Sequence, residues 1–135
     1  MSEVLRSGRR HGVMRLTDAL GYRLPLAGLV SILHRISGLL MFVLLPFILN
    51  LLDRSLTSES TFASLHGLVS GWFVKLVILA IVWAYLHHFC AGVRHLFMDL
   101  HYGLEKHTAR KSAVTVLAIS LTLTALIGLK LFGVF

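Results

Sequence analysis

The chain has 135 residues, of which 56% are hydrophobic and 14% charged, whereas soluble domains carry about a quarter charged residues. That deficit, with the apolar residues gathered into blocks, excludes a water-facing globular domain and predicts one all-α membrane bundle. The net charge of +7 flanks the apolar blocks, where membrane orientation places it, so it does not signal nucleic-acid binding, and the single cysteine, Cys90, can close no disulfide within the chain.

Residues 1–28 read as a basic arm carrying Arg6, Arg9, Arg10, Arg15 and Arg23. Its opening stretch has no short apolar core or cleavage site, so it is not read as a signal peptide. Residues 29–135 read as a transmembrane domain. It contains three segments of the roughly 20 predominantly apolar residues that a spanning helix needs. They cover approximately residues 29–52, 65–96 and 113–135. Pro46 falls inside the first and predicts a kink. A short polar connection, DRSLTSESTFAS, follows it, and a basic one, MDLHYGLEKHTARKS, follows the second span. The arm and the second connection (Lys106, Arg110 and Lys111, with Arg94 just before) hold most of the cations, against Arg54 alone in the first connection. The positive-inside rule therefore puts the N-terminus and the second connection in the cytoplasm. The same basic surface can serve lipid headgroups or a soluble partner.

Polar groups inside the spans are costly and mark functional positions. Ser31, His34 and Arg35 stand at i, i+3 and i+4 in SILHRISG, on one face of the first span. His88 and His95 are seven residues apart in HHFCAGVRH, which puts them on one stripe about 10 Å apart along the second span. His87, about 100° around the helix from His88, faces elsewhere and reads as structural. Because the second span runs back toward the cytoplasm, His88 reaches the depth of His34 and Arg35. Arg94 and His95 lie nearer the boundary. A b-type haem suits this set: a deep imidazole for the iron, and cations or donors nearer water for the propionates. His88 is the candidate ligand, with His34, Arg35, Arg94 and His95 on the propionate side. Gly92, one turn from His88, leaves room for a flat macrocycle or for close helix packing. No C-x-x-C-H occurs, which excludes the usual covalent attachment of haem. The third span contains no histidine, so the second ligand is either His34 or a histidine of another subunit. Three helices make a thin wall around a haem, and Gly67 and Gly71 suit packing on a further helix, which favours the partner. A haem-free packing module, or a self-sufficient cytochrome using His34 and His88 together, are the readings opposed to it.

The two motifs, SILHRISG and the H-x-x-x-G-x-R-H-L-x-x-D pattern formed by His88, Gly92, Arg94, His95, Leu96 and Asp99, resemble the cytochrome b membrane-anchor subunits of bacterial and mitochondrial succinate dehydrogenases. The likeness extends over all three spans and the basic arm. It implies a larger haem-binding bundle formed with a second membrane subunit, which supplies the other axial histidine. It assigns His88 to the iron, Ser31 and Arg35 to the ubiquinone pocket, and His34 and His95 to the haem propionates, with Arg35 able to serve both groups. It also implies a flavoprotein subunit that oxidises succinate, an iron–sulfur subunit, and a place in a bacterial inner membrane. This chain has neither a flavin-binding glycine fingerprint nor a cysteine set for a cluster, so succinate oxidation is not its own chemistry. The same anchor can serve a quinol:fumarate reductase, which runs the reaction the other way.

Overall fold

The computed structural model describes residues 24–134, so the arginines of the N-terminal arm lie outside the described residues. Four helices follow in order: α1 (Leu26–Thr57), α2 (Glu59–Val69), α3 (Trp72–Asp99) and α4 (Lys106–Leu131). Three of them, α1, α3 and α4, are long and apolar enough to cross a membrane. They pack as an up-down-up bundle in which each of the three touches the other two.

The boundaries differ from the sequence expectation at both connections: the basic one is helical from Lys106 onward, so α4 begins there and not near residue 113. The first polar connection is almost wholly helical, and α1 runs on to Thr57 with Ser58 as the single residue before α2. Ser58 caps α2, its Oγ accepting from the Thr61 backbone N–H at 3.2 Å. The second span begins at Trp72, because Gly71 leaves helical geometry (φ −65°, ψ 135°) and divides the apolar run into α2 and α3. Hydropathy is continuous across Leu68, Val69 and Trp72 and gives no warning of that break. Gly71 is thus a helix boundary, and a Cβ at Gly67 would meet nothing within 4 Å among the described residues.

The turn between α3 and α4 is closed by a Schellman arrangement. Tyr102 N–H donates to Phe97 O at 3.0 Å and His101 N–H to Met98 O at 2.9 Å. This places His101 in the left-handed region (φ 65°), where histidine is better tolerated than most non-glycine residues.

The core sits at the end of the bundle that holds the N-terminus of α1 and the α3–α4 turn. Val30, Ala91, Ala113 and Val116 pack together there, with Leu26, Ala27, Cys90 and Leu117 against them. Pro25, Leu26 and Ala27 meet Lys106, Ala109 and Arg110 around one cavity, so the start of α1 and the basic start of α4 share an end of the molecule. On α4 the buried residues are Ala113, Val116, Ser120, Thr124 and Gly128, a stripe of small or slender side chains that lets α3 approach closely. The hydroxyls on the stripe are satisfied inside the helix, Thr124 donating to Ser120 O at 2.7 Å and Ser120 to Leu117 O at 3.2 Å. Helix α1 is the opposite case. Only 6% of its most apolar stretch is buried within the chain, and Leu39, Phe42, Val43, Phe47 and Leu49 are all exposed. Such a surface is stable against lipid or another helix and not against water.

Candidate functional site

Three imidazoles meet between α1 and α3. The rings of His34 and His88 stack with centroids 4.2 Å apart and planes 14° from parallel. His95 lies against the same His34 ring at 5.0 Å, tilted by 52°. One residue of α1 therefore bridges the two histidines that the seven-residue spacing lines up on α3.

His88 is fixed from behind by the backbone of α1. Its Nδ1 lies 3.0 Å from the His34 carbonyl oxygen and 3.2 Å from Ser37 Oγ. A carbonyl can only accept, so Nδ1 carries the hydrogen and donates, and Nε2 is left with its lone pair available. Ser37 donates its own hydroxyl to the same His34 carbonyl at 2.9 Å. Orientation of one ring nitrogen by a carbonyl, freeing the other, is the usual second bond of a metal-binding histidine.

One glycine, Gly38, makes the close approach possible. A Cβ at Gly38 would fall 2.8 Å from His88 Cε1 and 3.3 Å from its Nδ1, which no real contact tolerates. A Cβ at Gly92 would stand in ordinary van der Waals contact with His34 Nε2 at 3.4 Å, so the packing there does not require a glycine. Gly38→Ala is expected to push His88 out of its seat at a cost of about 1–3 kcal/mol. A lowered melting temperature of the purified protein, together with an altered environment of the His88 ring by NMR, is the check.

The remaining sequence candidates are distributed unevenly. Ser31 is half-buried one turn before His34, and Arg35 is exposed beside it. Both remain on the α1 side of the imidazole group. Arg94 is not brought to the imidazoles. It is 6% exposed and turned toward α4, where its Nε donates to Ser112 Oγ at 2.9 Å and its Nη2 to the Ala109 carbonyl at 3.4 Å. Adjacent helical positions are about 100° apart, so Arg94 and His95 cannot both face α1. Ser37 and Gly38 are the positions the sequence reading left without a role. Both belong to the quoted motif SILHRISG, and their spacing from His34 (i+3 and i+4) is the signal that could have found them.

His87 is fully buried between helices, 5.5 Å from the Trp83 ring. Neither of its ring nitrogens has a hydrogen-bond partner among the described residues. A buried ring without partners is one that an apolar ring can replace at little cost. His87→Phe is therefore expected to change the melting temperature by only a few degrees and to leave any haem band in place, as read by thermal unfolding and optical spectroscopy.

No group of three or more His, Cys, Asp or Glu side chains is placed to hold a bare metal ion among the described residues. A single oriented imidazole on a helix face is the donor set that suits a macrocycle, which brings its own equatorial nitrogens and needs the protein only at the axial positions.

Comparison with known proteins identifies a family. Residues 15–127 match the family described as "Succinate dehydrogenase/Fumarate reductase transmembrane subunit". The chain is 39% identical over 114 residues to the succinate dehydrogenase cytochrome b556 subunit of Paracoccus denitrificans, covering 84% of this chain and 87% of that one. It is 37% identical over 113 residues to the subunit of the same name from Coxiella burnetii, covering 82% and 90%. With the counterpart from Rickettsia felis the identity is 28% over 106 residues. With three membrane-length helices and a match over most of its length, the chain belongs to the succinate dehydrogenase/fumarate reductase transmembrane subunit family.

Proposed function

We propose that this chain anchors a succinate dehydrogenase in the membrane, offers His88 as one axial ligand of a b haem shared with a second membrane subunit, and contributes Ser31 and Arg35 to a ubiquinone-reduction site. The observation that carries the haem assignment is the His88 Nδ1 bond to the His34 carbonyl, which leaves Nε2 as a pre-oriented ligand. The cytochrome b556 naming of the relatives supports the same cofactor.

The stacking of His34 on His88 speaks against both residues serving one iron. Axial imidazoles address a haem iron end-on from opposite faces, whereas rings 4.2 Å apart and nearly parallel present their faces to each other. The opposite ligand then belongs to the second membrane subunit, and the open flank of α1 leaves a place for such a partner. His34, His95 and Arg35 supply donors on the propionate side. Arg94 is left out of this assignment because its guanidinium is engaged on α4. When bound at His88, the haem would supply a one-electron carrier.

At the quinone, the exposed Arg35 guanidinium offers charge-assisted N–H donors to a ring oxygen that gains negative charge on reduction, and the Ser31 hydroxyl adds a second donor one turn away. With the N-terminus and the α3–α4 turn in the cytoplasm, as the charge distribution favours, the protons taken up come from that side. The flavoprotein and iron–sulfur subunits dock over that same basic end. A reduced-minus-oxidised spectrum of the complex purified through this chain tests the reading. A b-type band with flavoprotein, iron–sulfur and second membrane subunits in the preparation is expected; intact complex without a haem band overturns the haem assignment and leaves the anchor.

A further inference from the structure

We propose that the groove between α3 and α4 binds an anionic phospholipid, with the phosphate on Arg94 and an acyl chain against Phe89, Val93 and Ile119. The argument begins with the charge. Arg94 is more than nine-tenths buried, and its hydrogen bonds go to a hydroxyl and a backbone carbonyl, both neutral. A guanidinium has five N–H donors and a full positive charge, and two neutral acceptors balance neither. Burying a cation in this way is stable when an anion completes the site.

The groove is almost wholly apolar, and Arg94 is the one charged group on its wall. It encloses about 510 Å³, within the usual range of roughly 300–1,000 Å³ for small-ligand sites. Arg94, Thr108, Ser112 and Thr115 are the polar residues on its wall, with Phe97, Met98 and Tyr102 toward the α3–α4 turn and Phe89, Val93 and Ile119 further into the membrane. Arg94 is five residues from the end of α3 at Asp99, about 7.5 Å along the axis, which is the level where headgroups meet acyl chains.

The start of α4 adds an independent reason for a negative ligand. Its first turns carry Lys106, His107, Arg110 and Lys111, and the one acid beside these cations is Glu105 at the N-cap. His107, Arg110 and Lys111 line a second cavity that shares Thr115 with the groove. A lipid phosphate beside these side chains relieves their mutual repulsion as well as the charge of Arg94. The haem side of α3 is a different face: His95 is the next residue, turned about 100° away toward His34.

The test uses the assembled complex, stripped of lipid in detergent and then offered phosphatidylglycerol or phosphatidylcholine in mixed micelles. Lipid retained per complex is read by native mass spectrometry. Wild type is expected to retain phosphatidylglycerol about tenfold more tightly than phosphatidylcholine. Arg94→Gln should abolish that preference, and Ile119→Trp, which fills the groove and leaves the guanidinium in place, should abolish retention. If Arg94→Gln fails to assemble, Ile119→Trp carries the test. Equal retention of the two lipids by wild type overturns the proposal. So does undiminished phosphatidylglycerol retention in Ile119→Trp. A changed haem spectrum in Arg94→Gln with lipid binding intact would assign the guanidinium to a propionate instead. Loss of the second membrane subunit from Ile119→Trp, with no lipid retained by wild type, would assign the groove to a partner helix.

Discussion

His88→Ala is expected to remove the low-spin b-haem band from the assembled complex. The expectation rests on three features that converge on one ring: a stripe position on α3, an Nδ1 bonded to the His34 carbonyl, and a seat against Gly38 where an added Cβ would fall 2.8 Å from Cε1. An alanine there leaves the iron with at most one protein ligand, and neither neighbouring imidazole is positioned as a substitute. His34 is stacked face-on against the vacated position, and His95 is about two turns nearer the helix end. An unaltered band in His88→Ala would sink the ligand assignment. The comparison with His87→Phe is decisive because the two histidines are adjacent in sequence. Ser37→Ala is the graded version of the same experiment. It keeps the ligand and removes one of the groups that fix its environment, and such outer partners are commonly worth about 10–100-fold in metal affinity or activity.

Arg35→Ala is expected to slow quinone reduction by a factor on the order of 10², the usual loss when a donor to developing negative charge is removed. Ser31→Ala should act in the same direction with a smaller effect, because a neutral hydroxyl contributes less than a charge-assisted bond. Electron transfer from succinate to a water-soluble dye bypasses the membrane site and should survive both substitutions. Equal loss of the dye and quinone activities would mean failed assembly and would remove Arg35 and Ser31 from the quinone site. Arg35 is exposed and Ser31 is not part of the buried core, so neither truncation opens a cavity.

Much of this organisation could be read from the residues. The three spans follow from hydrophobicity and length alone, and the depth match between His34 and His88 follows from helical rise and antiparallel direction. Both are properties of regular helices, and the stacked rings lie where that geometry sends them. The harder features depend on what neighbours a residue meets. Ser37 looks like an ordinary helix serine bonded to the carbonyl three residues back, which it is. Its second neighbour, the His88 ring, comes from 51 residues away. Gly38 could be any small packing residue until His88 is seen beside it. Arg94 and His95 lie at nearly the same depth near the end of α3, and the angular step of the helix separates them onto different neighbours. The break at Gly71 escaped because composition does not change across it; only backbone conformation does.

The sparse packing of α1 reaches into biosynthesis. Much of the apolar surface of this helix is left exposed by the described residues of its own chain. In lipid it can lie stably as a span, but few contacts in its distal half hold its tilt or rotation, and Pro46 loosens it further. The histidine-bearing stretch is held at one end by Val30 and its neighbours, while the remainder stays adjustable until something covers it. The amount of this chain made relative to its membrane partner then decides how long that uncovered surface is available to degradation or to promiscuous pairing. Balanced synthesis of the two chains becomes part of how the haem site is built.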